Sequence, residues 1–287
     1  MVELILTLFL LIPPLNPSAI QHPEITVELP NHIFNEGDFQ TALIEYKRYL
    51  HYNPNDPRRP YLEYKMGLCY LRMGRYDAAA EVLRSVAQNT TDDRLRQEAE
   101  LARAKALFWD DRYDSAKFIA RRLVSHSPYH DIAAQSLFLS GWCSLNEMNW
   151  SEATIKFRRI ARLYPDHPIS RKSSMLADKS FQALSLPQKS PRLAQILSAV
   201  MPGLGLIYCG EGIKGIGYMM GNLITLSLSV KAALEGDNLN FFILGGTWVW
   251  IYLRDIRFSY EAALRHNEDA ERRYLNSLKA RFTLPDP

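Results

Sequence analysis

Four segments in the first two thirds of the chain repeat one another at a fixed step of 37 residues and align without gaps. Three columns of this alignment hold an aromatic residue, an alanine and a turn position. Their members are Phe39, Tyr76, Tyr113 and Trp150, then Ala42, Ala79, Ala116 and Ala153, then Gly37, Gly74, Asp111 and Met148. A chain that repeats at such a step folds into similar units that stack on their neighbours.

The columns predict a helix-turn-helix unit. Gly37 and Gly74 stand where a first helix ends and the chain needs a left-handed residue. We expect the aromatic residue two positions later to pack into the neighbouring helix pair, and the alanine to let two helices approach closely. A further apolar column follows at helical spacing, and prolines stop the second helix in three of the four repeats. The members of the apolar column are Tyr46, Leu83, Ala120 and Phe157. The prolines are Pro54, Pro128 and Pro165.

This pattern resembles the tetratricopeptide repeat, whose small, aromatic, alanine and proline positions are matched in order over about residues 24–184. Gly67 and Gly141 match the family's small residue in the preceding helix, and Tyr70 matches its aromatic. The resemblance implies an all-α fold, a tetratricopeptide-like α-solenoid of about four helix pairs with residues 168–184 as a capping helix.

The step of 37 residues and the closing "LYPDHP" are most similar to a periplasmic subclass of this family. That subclass includes BamD-type outer-membrane assembly lipoproteins and YbgF-type cell-division coordinators. The chain has no cysteine near residue 19. It therefore departs from the lipid-attachment pattern of the BamD type.

Solenoids of this kind bind peptides or extended segments in a concave groove lined by the first helix of each pair. The polar residues on or near first helices that we select as partner-binding candidates are Lys65, Arg72, Arg103 and Lys105. The alternative is that these side chains are simply solvated. We expect Tyr76, Trp150 and their column mates to be core residues.

The sequence offers no recognisable catalytic chemistry. Cys69, Cys143 and Cys209 lie far apart, so neither a disulfide framework nor a zinc site is expected. His126 and His130 have a metal-like spacing but lie in a turn broken by proline. The net charge of +3 is spread along the chain with no long basic run, so the charge argues neither for nor against an anionic partner. The chain is thus predicted to be no enzyme, with no catalytic residue, metal, cofactor or nucleic-acid partner.

Residues 1–20 are predicted to be a signal peptide or N-terminal anchor. An apolar core at residues 4–12 precedes prolines and the small residues Ser18 and Ala19, as in secretory signals. No Lys or Arg precedes the core, and Glu3 is acidic where a positive charge is expected. A signal peptide, an uncleaved anchor and a mis-set start or plain structural segment are the alternatives.

The last third of the chain changes character. After a short linker at residues 185–192, we expect membrane helices within 193–256 and a helical, basic tail at 257–287. The run 215–234 is long enough to span a bilayer core, and the run 239–253 is about fifteen residues long. The sequence therefore predicts a transmembrane helical hairpin after the solenoid.

The number of crossings depends on the preceding apolar run, residues 193–209, which Pro202 and Gly203 interrupt. It is interpreted as a kinked span, a re-entrant segment or an interfacial helix. Two crossings would place repeats and tail on the same side. Three crossings, the interpretation we prefer, satisfy both a signal peptide and an inside basic tail. Aromatic residues suited to a membrane boundary are Trp248, Trp250 and Tyr252.

Gly210, Gly212 and Gly215 fit the letters of the G-x-G-x-x-G dinucleotide fingerprint. That motif needs a strand before it, and a helix and a second strand after it. Here one continuous apolar run follows, and it leaves no room for the second strand. Nucleotide binding is therefore not predicted.

The same stretch resembles the P-G-x-G-x-x-Y-x-G signature of small families with two transmembrane helices, over about residues 190–267. The signature positions in this chain are Pro202, Gly203, Gly205, Tyr208 and Gly210, followed by Gly215. Those families also tend to have an Asp and an Asn that correspond to Asp255 and Asn267, whereas Leu206 stands where they usually carry Gln. The resemblance implies roles in membrane turns and close packing.

Gly217 and Gly221 have the small-x-x-x-small spacing that promotes helix contact in membranes. The contact is either intramolecular packing within the hairpin or a homodimer face.

Together these features predict a membrane-anchored protein-interaction scaffold of the bacterial envelope. Its repeats would be periplasmic, anchored in the inner membrane, and bind a protein or peptide through the groove. Its other expected partners are the lipid bilayer and a second copy of the chain. The alternative is an accessory factor for membrane or envelope protein assembly or transport, with the transmembrane hairpin as the active part. An enzyme or nucleotide-binding regulator rests on the glycine motif alone.

Overall fold

The computed structural model describes residues 26–282 and residue 285. The predicted signal peptide or anchor at residues 1–20 lies outside these residues. The chain forms two compact units, and the boundary follows Asp111. Helices of the N-terminal unit are α1 Glu28–Glu36, α2 Phe39–Tyr52, α3 Arg59–Arg72, α4 Tyr76–Asn89 and α5 Asp93–Trp109. Those of the C-terminal unit are α6 Tyr113–His126, α7 His130–Asn146, α8 Trp150–Leu163, α9 Ile169–Ala183, α10 Pro191–Val200, α11 Leu204–Tyr208, α12 Gly212–Leu234 and α13 Asn238–Arg281.

The predicted all-α fold and its tetratricopeptide-like repeats are confirmed. Each second helix of a repeat, α2, α4, α6 and α8, begins at the aromatic column, as its sequence dictates. Asp38 accepts a hydrogen bond from the Thr41 amide at 3.0 Å and caps α2. Asn149 caps α8 in the same way through the Glu152 amide at 3.1 Å. These caps satisfy backbone donors that the first turn of a helix leaves unpaired.

The turn before each second helix is left-handed in all four repeats. Gly37 and Gly74 have φ values of 88° and 72°, as predicted. Asp111 and Met148 occupy the same position with φ values of 57° and 56°. This conformation crowds the Cβ atom of any residue except glycine. The repeat geometry therefore imposes the turn even where the sequence does not favour it.

The small residues of the first helices make room for the apolar column of the second. A Cβ atom on Gly67 would lie 2.6 Å from Leu83 Cδ2, and one on Gly141 would lie 2.6 Å from Phe157 Cε1. Leu83 and Phe157 are fully buried. Glycine at these two positions therefore lets a large side chain of the paired helix reach the helix backbone.

The aromatic column is buried only in part: Trp150 is buried, whereas Phe39, Tyr76 and Tyr113 are half-buried. Within the N-terminal unit, the rings of Phe39 and Phe34 are 5.4 Å apart and those of Tyr76 and Trp109 are 6.4 Å apart. In the C-terminal unit, Trp150 is buried and its ring lies 5.7 Å from that of Tyr274. The column thus contributes to the core.

The predicted transmembrane hairpin is wrong. Among residues 26–282, no helix combines the length and the apolar character that a membrane crossing needs. In α12, Lys214, Asn222 and Lys231 interrupt the apolar residues, together with several Gly, Ser and Thr residues. The apolar run of α13 ends after about fifteen residues at Arg254.

The segment expected to supply a third crossing also takes another form. Residues 193–209 divide into the ten-residue helix α10 and the five-residue helix α11. Both are far shorter than the roughly 20 residues that span a bilayer. The helices instead pack together, with α13 in contact with α10, α11 and α12.

The predicted basic tail is not a separate element. Helix α13 runs for 44 residues and contains both the second apolar run and most of the tail. Near its end, Tyr274 donates a hydrogen bond to the Lys179 carbonyl at 3.0 Å, and Glu271 accepts one from Trp150 Nε1 at 3.3 Å. The long helix therefore packs on the last repeat and on α9.

Replacing Met148 with glycine is expected to stabilise the fold. The change relieves a left-handed conformation that costs an L-residue about 1–2 kcal/mol, while glycine loses about 0.5–1 kcal/mol through backbone entropy. The expected net gain is therefore about 0.5–1 kcal/mol, measured as a higher denaturation midpoint of the full chain. Gly74→Ala is the reciprocal variant and should destabilise. A loss of stability in Met148→Gly would show that this turn is not strained.

Candidate functional site

The first helices of the N-terminal unit carry a cationic and aromatic surface. The Lys65 ammonium of α3 lies 4.4 Å from the centre of the Phe34 ring on α1 and 5.7 Å from that of Tyr61. Tyr61 is 43% exposed. An ammonium group held over aromatic faces is stabilised by their quadrupoles and still offers donors to a ligand.

Helix α5 continues this surface beside α3. Burial raises the pKa of Tyr64 on α3 to about 12, and the negative charge of Glu98 on α5 adds to the effect. Glu98 also accepts a 2.9 Å hydrogen bond from Arg94 Nε. Helices α1, α3 and α5 therefore form one face, which we call the first-helix face.

The four predicted partner-binding residues lie on two helices of this face. Lys65 and Arg72 belong to α3, and Arg103 and Lys105 belong to α5. Arg72 is exposed, and the other three are half-buried. Arg103 pairs with Glu100 at 3.5 Å. Their role in binding stays a prediction.

Sequence reasoning missed the aromatic partners of Lys65. Tyr61 precedes Lys65 by four residues, which is the spacing of neighbours on a helix surface. The contact between Tyr61 and Lys65 could therefore have been predicted from the sequence. The contribution of Phe34 was not, because it depends on how α1 packs against α3.

The P-G-x-G motif forms a second candidate site in the C-terminal unit. Gly203 has a φ of 84°, and its amide donates a 2.7 Å hydrogen bond to Asp255 Oδ2. A Cβ atom on Gly203 would overlap the Gly215 carbonyl oxygen. Only glycine fits where α11 and α12 meet so closely.

Buried polar side chains surround this contact. The hydroxyls of Ser198 and Ser259 are 2.6 Å apart, and Ser198 Oγ accepts the Gly205 amide at 3.1 Å. Asp255 is fully buried, and its Oδ1 has no hydrogen-bond partner among the described residues. Burial raises the pKa of Asp255, although the Gly203 amide favours the charged form.

Two further signature residues fasten the segment before α10. The Asn267 side chain accepts the Lys189 amide at 2.7 Å and donates to the Lys189 carbonyl at 2.9 Å. The Tyr208 hydroxyl accepts the Ser190 amide at 3.1 Å. Gly203, Tyr208, Asp255 and Asn267 thus hold α10, α11 and α13 together, although the packing is not that of a transmembrane hairpin.

The remaining predicted glycines divide into two groups. Gly205 and Gly215 pack tightly, because a Cβ atom on either would lie too close to neighbouring atoms. A Cβ atom on Gly210, Gly217 or Gly221 would meet nothing within 4 Å. The spacing of Gly217 and Gly221 therefore serves no helix contact within the described chain, and the homodimer face stays a prediction.

The dinucleotide fingerprint has the wrong surroundings. Helix α11 stands before Gly210 where the motif requires a strand, and α12 begins at Gly212. The described residues also contain no group of three His, Cys, Asp or Glu side chains placed to hold a metal ion. Burial raises the pKa of Cys69 and of Cys143 to about 12, which makes both thiols poor nucleophiles at neutral pH.

Comparison with known families agrees with the repeat geometry. Residues 61–89 and 135–167 match the tetratricopeptide repeat family, so the chain contains tetratricopeptide repeats. Solved structures similar to the chain include a tetratricopeptide repeat protein from Parabacteroides merdae ATCC 43184. It is 19% identical, with 88% of this chain and 95% of that chain covered and a TM-score of 0.45. No curated protein matches the chain. The BamD or YbgF subclass and the two-helix signature family stay predictions.

Asp255 should make the fold less stable as pH rises. Its folded-state pKa is raised, so the unfolded chain releases the proton first. The loss of folding stability begins near pH 3.8, the ordinary pKa of an aspartate, and is complete above the raised pKa of Asp255. Asp255→Asn should remove this loss while its amide oxygen still accepts the Gly203 amide. The measurement is the difference in unfolding free energy between the wild type and this variant across pH.

The matched control is Asp255→Ala, which leaves the Gly203 amide buried without this acceptor. We expect that variant to lose about 1–3 kcal/mol at all pH values. If Asp255→Asn loses as much at neutral pH as Asp255→Ala, the negative charge itself stabilises the site.

Proposed function

We propose that the chain is a non-catalytic scaffold that binds an extended segment of a protein partner on its first-helix face. Tetratricopeptide repeats imply protein binding, and proteins of this family are generally interaction scaffolds. The observation that carries the proposal is the cluster of Phe34, Tyr61 and Lys65. It brings apolar surface and a positive charge together on the first helices.

The chemistry of this face favours a partner segment with acidic side chains. Lys65, Arg72, Arg103 and Lys105 are all cationic and lie on the adjacent helices α3 and α5. Exposed Tyr61 adds a flat amphipathic ring, which contributes contact area at low entropic cost. The acids Glu98 and Glu100 of α5 pair with Arg94 and Arg103, respectively.

Site-specific photo-crosslinking tests this surface. A photoreactive phenylalanine analogue replaces Tyr61 on α3 and, in a matched variant, Tyr52 on the second helix α2. The two side chains are 43% and 56% exposed. We expect the analogue at position 61 to give a discrete crosslinked partner that the analogue at position 52 does not give.

The charge of the face is tested in the same experiment. Lys65→Glu should reduce the yield of that crosslink at least about tenfold at subsaturating partner, because a hydrogen bond to a charged group contributes about 1.5–3 kcal/mol. Equal crosslinking from positions 52 and 61, or an undiminished yield in Lys65→Glu, would remove the support for this surface.

We also propose that the scaffold works at a bacterial envelope membrane, with its repeats on the periplasmic side of the inner membrane. Support comes from the exposed apolar side chains of α12 and α13 and from the apolar stretch at residues 4–12. Protease added to intact spheroplasts should then degrade the full chain, and the chain should sediment with membranes. A chain that sediments with membranes but resists the protease would contradict the periplasmic placement. The alternative was an assembly or transport factor that acts through a transmembrane hairpin. The structure does not support it, because no helix among residues 26–282 is long and apolar enough to cross a membrane.

A further inference from the structure

We propose that a cavity between α11, α12 and α13 binds an amphiphile with a phosphate headgroup, such as an anionic phospholipid. The cavity has a volume of about 330 Å³. Its lining residues are Leu206, Glu211, Lys214, Tyr218, Phe258 and Arg265. This ligand goes beyond the protein partner proposed above, and its site lies on different helices.

Two cations from different helices converge at this cavity. Lys214 Nζ of α12 lies 2.7 Å from Glu211 Oε2, and Arg265 Nη2 of α13 lies 3.1 Å from Glu211 Oε1. One carboxylate therefore holds both cations, and their attraction lowers the pKa of Glu211. The ionised carboxylate fixes the distance between the two cations.

The cations retain capacity for a second anion. Arg265 Nη1 is 3.9 Å from Glu261 Oε2, which is beyond hydrogen-bond distance, and its Nε has no acceptor among the described residues. Lys214 is 68% exposed and has three N–H donors. Glu261 also pairs with Arg257 at 3.0 Å. Among the lining residues, two cations, Lys214 and Arg265, share one carboxylate, Glu211, which leaves a net positive charge at the cavity.

Aromatic and apolar side chains form the remaining wall. The rings of Tyr218 and Phe258 meet edge to face with centres 6.0 Å apart, and Leu206 is fully buried beside them. An anionic group at the cations would therefore have apolar surface directly beside it.

This combination favours an amphiphile over a free phosphate. Inorganic phosphate would use the two cations and leave the apolar wall unoccupied. A phospholipid would place its phosphate on Lys214 and Arg265 and its glycerol and first methylenes against Tyr218 and Phe258. Removal of these methylenes from water would add to the binding of the amphiphile.

Calorimetric titration of the full-length chain tests the assignment. The probes are a short-chain phosphatidic acid below its micelle concentration, the matching phosphatidylcholine, and inorganic phosphate. We expect saturable binding of the phosphatidic acid, with the other two at least about tenfold weaker. Equal affinity for inorganic phosphate would overturn the amphiphile and indicate a soluble phosphate ligand. Equal affinity for phosphatidylcholine would overturn the role of the cations.

Charge variants complete the test. Lys214→Gln and Arg265→Gln should each weaken phosphatidic acid binding about tenfold, because each removes a charge-assisted hydrogen bond. Glu211→Gln should strengthen binding, since it releases both cations from their shared carboxylate. That opposite sign cannot result from a loss of folding.

Lys231→Gln is the matched control, because Lys231 lies on the same helix, is also 68% exposed and also pairs with a glutamate, Glu235. Its binding should equal that of the wild type. If Lys231→Gln weakens binding as much as Lys214→Gln does, the effect is one of general charge and the cavity is not the site.

Discussion

The left-handed turn between paired helices is the constraint on which the repeats depend. It belongs to the two or three residues that reverse the chain between the helices and place the aromatic column at the start of the second helix. Asp111 and Met148 adopt this turn although both carry a Cβ atom, with φ values near 57°. At Met148, the packing of α7 against α8 therefore outweighs a local cost of about 1–2 kcal/mol.

The C-terminal helices rely on a different constraint, the absence of side chains where backbones meet. Gly203 and Gly215 bring α11 and α12 together, and Asp255 binds the Gly203 amide from α13. A buried carboxyl group is costly unless it is hydrogen-bonded or neutral. Asp255, Ser198 and Ser259 therefore form a small buried polar group beside the apolar cluster that contains Leu206 and Ala263.

Much of the repeat region could be predicted from the sequence, because its determinants are local and recur every 37 residues. The glycine turns, the aromatic column and the capping helix follow from spacing alone. The hairpin could not be judged in this way, since an apolar run resembles a membrane helix whether or not its polar residues are used in packing. The contacts of α13 with the last repeat could not be predicted from the sequence either. Trp150 and Glu271 are 121 residues apart in sequence, and no periodicity links them.

Helix α13 contacts both the cavity and the last repeat, two regions that no sequence pattern connects. At 44 residues it is about 66 Å long, and it carries Arg265 at the cavity and Glu271 and Tyr274 at the last repeat. Arg265 and Glu271 are separated by less than two helical turns. A rigid helix transmits a shift or rotation along its axis with little loss. The cavity and the last repeat therefore share one rigid segment of α13, so a rotation of this helix would move the contacts of both.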